Sequence, residues 1–355
     1  LTQVSLDKVI VKGDNPDTYI SKVNPIKTEV ITQMELTKAA CCDLAGCFDT
    51  QGSVQSATTN VVTNAKELRL LGLSGVYNQV LLDGMPLIIG TTYTYGISTV
   101  PGTLVDNIYI SKGANSVLQG YESISGQINV ELKESDSDEK LLVNAYVNSF
   151  LESQFNVNYT QKIKKWSTIL SAHTTQPAQK FDRDNDNFLD LPRLTRYSFY
   201  NKWKYGNQNE WGWNSRIGIR FVNEQRIGGQ ETFNPKLDKG SSLIYGQTVN
   251  FSQPEIYTKT GYKLNDNHNF VLFASAFYHN QSSYFGSTHY RANQTNVYGN
   301  FQYEYTWKKK HYLKTGLSYR YMKLEENIAF GNDDSLKRTY GGLHLKFEQV
   351  PGIFI

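Results

Sequence analysis

From about residue 141 onward, apolar or aromatic residues alternate with polar ones in one segment after another. Between Asn296 and Trp307, Val297, Phe301, Tyr303, Tyr305 and Trp307 share one parity with Gly299. Asn296, Asn300, Gln302, Glu304 and Thr306 share the other with Tyr298. β side chains alternate with period two, so such a segment is a ribbon with one greasy and one wet face. Ten segments are predicted as strands, at about 141–150, 153–162, 166–175, 194–205, 210–224, 244–264, 268–280, 290–307, 311–326 and 338–349. Short polar turns (162–165, 206–209, 266–267, 308–310) alternate with longer connections (176–193, 225–243, 281–289, 327–337). An apolar outside, a polar inside, tight turns at one end and long loops at the other describe a transmembrane β-barrel.

Tryptophan supports this. Trp166, Trp203, Trp211, Trp213 and Trp307 all lie within a few residues of a short turn, as expected for indoles at a membrane–water interface. A large soluble antiparallel domain has no reason to sort them to one end.

Upstream the grammar changes. Residues 1–138 hold short apolar runs such as Val80–Leu82 and Leu87–Ile89, a helix-like piece from Met34 to Phe48, and frequent glycines. This predicts a small α+β domain ahead of the antiparallel barrel. The acidic run Glu134–Glu139 marks a solvated connection. The expected division is an N-terminal segment 1–21, an α+β domain 22–138 and a barrel portion 139–355. The start lacks a secretory signal pattern, and the end stops soon after Pro351-Gly352 without a closing strand. Both ends are therefore expected to be processed or cut.

Composition adds little beyond this. The 355 residues carry a net charge of +3 with no basic stripe, which argues against nucleic acid. No apolar run reaches the length of a membrane helix. Hydrophobic content of 39% is diluted by the wet faces of the ribbons.

Two clusters suggest chemistry. Asp182, Asp184, Asp186 and Asp190 occupy positions one, three, five and nine of a tight loop, the oxygen-ligand spacing of Ca²⁺ sites. Arg193 stands where the bidentate Glu belongs, so the expected site is weak, and the alternative is a solvated acidic loop. Cys41, Cys42 and Cys47 offer either a disulfide with one odd thiol or a soft-metal site. No nucleophile elbow, phosphate loop or His-Glu-x-x-His motif appears, so no enzyme is expected and no cofactor is required.

Three ordered blocks carry a family resemblance. Leu70-Leu71-Gly72-Leu73-Ser74-Gly75 leads to Val80-Leu81-Leu82-Asp83-Gly84-Met85-Pro86-Leu87. Val105–Ala114 follows, with Lys112-Gly113, and then Gly120 and Gly126-Gln127-Ile128-Asn129-Val130. Together they resemble the plug of TonB-dependent outer-membrane receptors, in the style of Bacteroidetes-type bacteria. The family's Arg before Gly-Leu is Leu71 here and the nearest basic residue is Arg69, so a plug-to-barrel ion pair from that position is not carried over by the resemblance. Large barrels of this type have 22 strands, so ten imply a fragment. The resemblance implies an outer-membrane importer in a Gram-negative bacterium, driven by TonB with its ExbB/ExbD energy complex and surrounded by outer-membrane lipid. It implies a small-molecule or metal-chelate ligand, with a ferric siderophore as the default and a glycan as the alternative. It also implies a short N-terminal TonB box, for which Asp7, Lys8, Val9, Ile10 and Val11 are the candidate. A plugged-barrel adhesion or secretion-accessory protein without transport is the reading from another class.

Overall fold

The computed structural model describes residues 19–21, 28–39, 42–49, 51–113, 123–135, 139–308, 311–330 and 334–350. The N-terminal domain contains β1 (Tyr19–Ser21), β2 (Thr28–Ile31), α1 (Gln33–Ala39), β3 (Val54–Asn60), β4 (Ala65–Leu70), β5 (Asn78–Leu82) and β6 (Met85–Ile88). It continues with α2 (Tyr93–Gly96), β7 (Val105–Lys112) and β8 (Gly126–Leu132). Six of these strands form one sheet in the order β1-β2-β7-β8-β5-β6, with β5 and β8 parallel; β3 and β4 pair separately. Every residue of β5 and β6 is buried, because a strand covered on both faces needs a continuous apolar run rather than an alternating one. The helix expected from Met34 to Phe48 is shorter. It spans Gln33–Ala39, and a separate 3₁₀ turn at Gly46–Phe48 follows.

Ten further strands make one antiparallel meander among the described residues. They are β9 (Leu141–Val147), β10 (Ser153–Ile163), β11 (Trp166–Gln176), β12 (Arg193–Tyr205), β13 (Gly212–Gly229), β14 (Gly246–Lys263), β15 (His268–Phe285), β16 (Thr288–Trp307), β17 (His311–Phe330) and β18 (Asp334–Val350). Each pairs with its chain neighbour, so the register follows from the turns.

The alternation sorts the faces as read from the sequence. Val297 and Phe301 are exposed on the outer face, with Phe199, Ile219, Phe221 and Leu272. Tyr200, Tyr257, Phe277 and Tyr298 are buried on the inner face, where they join the apolar core of the N-terminal domain. The N-terminal domain therefore packs against the inner face of the sheet. All five tryptophans lie at the short-turn end; Trp166 packs against Trp203 and Tyr205, and Trp213 against Tyr262.

One connection differs from expectation. The long loop predicted over 281–289 is the two-residue turn Gly286-Ser287, with Gly286 at φ +59. Gln281 to Phe285 are polar-rich yet remain in β15, because a strand standing clear of lipid is wet on both faces.

Candidate functional site between the N-terminal domain and the strand wall

The short-turn half of the interface is organised by Asp83. Asp83 and Gly84 both have positive φ and link β5 to β6 in a two-residue turn, the geometry that Asp-Gly favours. The turn presents the Asp83 carboxylate to the wall. Lys202 Nζ donates to Oδ2 at 3.1 Å and Tyr200 at 3.4 Å, and Tyr257 donates to the same oxygen. Oδ1 accepts the Leu132 amide at 2.9 Å, and Lys202 also reaches the Leu132 carbonyl at 2.8 Å. The two phenols are 2.7 Å apart. Three inner-face residues from two strands thus share one carboxylate of the inner domain.

Tyr257 reaches Asp83 across Gly218, its directly opposed partner in β13. A Cβ at Gly218 would overlap the Tyr257 ring.

The long-loop half is held differently. Arg226 donates to the carbonyls of Thr63 and Asn64 at 2.9 and 2.7 Å and lies over the Tyr95 ring. Gln294 accepts from Thr91 N and Oγ1 at 2.9 and 2.7 Å, and Asn60 donates to Gln247 at 2.8 Å. Arg220 makes a bidentate pair with Glu255 and touches Thr99 at 3.1 Å. Arg196 and Arg226 flank Glu224, and all three side chains are at most 3% exposed. These barrel carboxylates are neutralised by barrel arginines, which fits the absence of Arg at position 71. Arg69 pairs within its own domain, with Glu67 at 2.6 Å.

Below Asp83 lies a cavity of about 600 Å³ between the two layers. Asp106, Glu131 and Lys133 line it from one side, Arg216, Lys259 and Phe273 from the other. Burial pushes the Asp106 and Glu131 carboxyls up, with Asp83 adding to it in both. Glu134, at the root of the connection to β9, goes the other way. Burial opposes its ionisation, but hydrogen bonds from Arg216 and Lys204 and the charge of Lys202 outweigh it and hold it at about 2.

The sequence candidates fall as follows. Leu71 and Gly72 form a two-residue turn with positive φ at both, and Leu73 bonds back to Leu70. Gly75 is pressed against Tyr93, Gly126 against Leu70 and the Ser111 carbonyl, and Pro86 is buried in β6. Lys112 pairs with Glu29 at 3.5 Å, and Gly113 follows at φ +84. Gly120, Cys41 and the Asp7–Val11 segment lie outside the described residues. Cys47 is disulfide-bonded, while Cys42 keeps a free thiol that burial and Asp43 push up. That removes Cys47 from any thiolate ligand set.

In the 182–190 loop, Asp182, Asp184 and Asp190 bring oxygens within 4.8 Å of one another; Asp186 is not in that group. Asp182 accepts the amides of Asp186 and Asn187, and Asp190 that of Arg183.

Sequence reading missed Tyr200, Lys202, Gly218, Tyr257, Arg226 and Gln294. A signal existed: charged residues of inner parity deep inside strands, such as Arg196, Lys202, Arg220, Glu224 and Glu255, need buried partners.

An inner domain docked on the inner face of a barrel wall defines the plugged outer-membrane barrels. Residues 22–127 match the TonB-dependent Receptor Plug Domain, and ten antiparallel strands follow that match along the chain. A search of curated proteins gives no sequence match. Among solved structures, the chain is similar to the ferric yersiniabactin uptake receptor FyuA from Yersinia pestis, with a TM-score of 0.71 at 14% identity. The match covers 87% of this chain and 50% of that one. For the P. aeruginosa receptor FpvA bound to an iron–pyoverdine complex the values are 0.69 and 13%, over 89% and 45%. For the copper transporter OprC they are 0.65 and 12%, over 87% and 48%. The chain thus spans about half the length of these relatives.

Proposed function

We propose that the chain is the plug and leading barrel portion of an energy-coupled importer in the outer membrane of a Gram-negative bacterium. Its cargo is a metal chelate, with a ferric siderophore first in order. The carrying observation is the interface itself: the plug meets the wall through hydrogen bonds and ion pairs from side chains, an attachment that can be broken and remade. Short turns set the periplasmic end and the 177–192 and 230–245 loops the outer end. Cargo binds at that outer end, above the 60–64 hairpin tip, where Val61 is 79% exposed. FyuA, FpvA and OprC, named for iron chelates or copper, support the cargo class.

Coupling is assigned to Asp7–Val11, through strand addition to a periplasmic partner of the TonB type. Deleting residues 7–12 from the complete receptor should abolish iron-limited growth while leaving surface binding of the chelate intact. Uptake that survives the deletion sinks energy coupling through this segment. An adhesion protein would show no uptake in either form.

A further inference from the structure

We infer that Asp83 is the release point of the plug, and that the cavity beneath it is where plug and wall part. Among the described residues, only Asp83 and Glu134 pair a carboxylate from the N-terminal region with a barrel cation. Glu134 sits on the covalent connection and stays with the wall when the plug moves. Asp83 sits at the tip of a two-residue turn, so it leaves the wall with the β5–β6 hairpin. All its wall contacts converge on one oxygen, so a shift of that single atom breaks them together.

The cavity adds an independent reason. Lys133 is 8% exposed and lines the cavity; its amide donates to the Leu104 carbonyl at 2.9 Å, but its ammonium makes no hydrogen bond or ion pair among the described residues. The Glu131 carboxylate likewise makes no hydrogen bond among the described residues, and Lys259 faces it from the wall, opposite Arg216 and with its ammonium over the Phe273 ring. Charged groups facing a space without direct pairing hold the layers together weakly. They are also already arranged to be wetted when the gap opens. At the outer end, by contrast, Arg226 grips main-chain carbonyls that any plug movement must carry along.

This deepens the transporter reading and rests on it, since it assumes a plug that moves. It is tested by current rather than uptake, so the two fail separately. The complete receptor is placed in a planar bilayer in potassium chloride, and urea is raised until current flows. Asp83→Asn and Lys202→Met should each lower the urea at half-maximal current by about 1 M, and the double variant no further. Gly218→Ala changes no plug residue and should shift opening the same way by displacing Tyr257. Gln294→Ala, at the outer end, should leave the onset in place. Joining Glu131→Cys to Lys259→Cys with a bifunctional maleimide should suppress the current. Heat-modifiable gel mobility establishes that each barrel is folded. Equal shifts for Asp83→Asn and Gln294→Ala, an inert Gly218→Ala, or current through the cross-linked receptor would each overturn the assignment.

Discussion

Three carboxylates within one cavity ionise differently, and the cause is geometric. Asp106 and Glu131 are half-buried and make no ion pair among the described residues, so desolvation, with Asp83 adding to it, pushes their carboxyls up. Glu134 is similarly enclosed but lies 2.8 Å from Lys204 and is bonded to Arg216. Its folded value of about 2 lies below the ordinary 4.5. A depressed carboxylate contributes stability above its unfolded value and loses it as pH falls through the folded one. The clamp at the root of the connection is therefore intact at neutral pH and fades between 4.5 and about 2. Across that range the urea midpoint of the receptor should fall, and Glu134→Gln should flatten that fall; an unchanged acid branch in the variant would remove the clamp. A second test concerns sulfur. Cys47 should resist maleimide until reduced, whereas Cys42 should label slowly, accelerating only above its ordinary value of 9.0. Rapid labelling of Cys42 at neutral pH would contradict its burial.

At the scale of elements, the strands of the wall were legible because half of every ribbon faces lipid, and lipid enforces alternation. Phe301 and Val297 declare β16 without any help from neighbours. Where water borders both faces the rule lapses, so β15 and β16 run further than their patterns suggest, to Phe285 and from Thr288. Pro254 shows a different limit. Its missing N–H argues against a central strand, yet it sits inside β14, opposite Phe221. The ladder to β15 simply skips from Ser252 to Glu255. In the plug, the Asp83-Gly84 turn was readable from residue type, but its partners on β12 and β14 lie more than a hundred positions away and have no local signature. Glycine at Gly126 has a firmer rationale than turn flexibility, since a methyl there would strike the Ser111 carbonyl between β7 and β8. Gly126→Ala should destabilise the plug by about 1–3 kcal/mol, read as a lower thermal midpoint by circular dichroism. A midpoint equal to that of the parent would mean the two strands separate more easily than their pairing suggests.

For the whole molecule, the outer face fixes how deep the barrel sits. An 18-residue strand rises about 3.3 Å per residue, roughly 60 Å in all, and crossing a bilayer takes only about 9–11 tilted residues. The excess lies at the long-loop end, where outward positions turn polar. Gln225 bonds Asn250 at 2.9 Å and Asn280 bonds Asn293 at 2.5 Å, each across a directly opposed pair. Below these pairs the apolar outward positions include Ile217, Ile219 and Phe221 on β13, and Val297 and Phe301 on β16. The wall therefore stands in lipid up to about the level of Asn293 and projects beyond it into the outer medium. Two outward positions on the same strand test this. Phe301→Arg places a charge within the apolar band and should cost about 2–4 kcal/mol, whereas Asn293→Arg, at its edge, should cost about 0–1. Refolding titrations of the complete barrel into lipid vesicles measure both. Equal costs at the two positions would mean that the band does not end where the asparagines begin, and that the outer part of β13 to β17 is also in lipid.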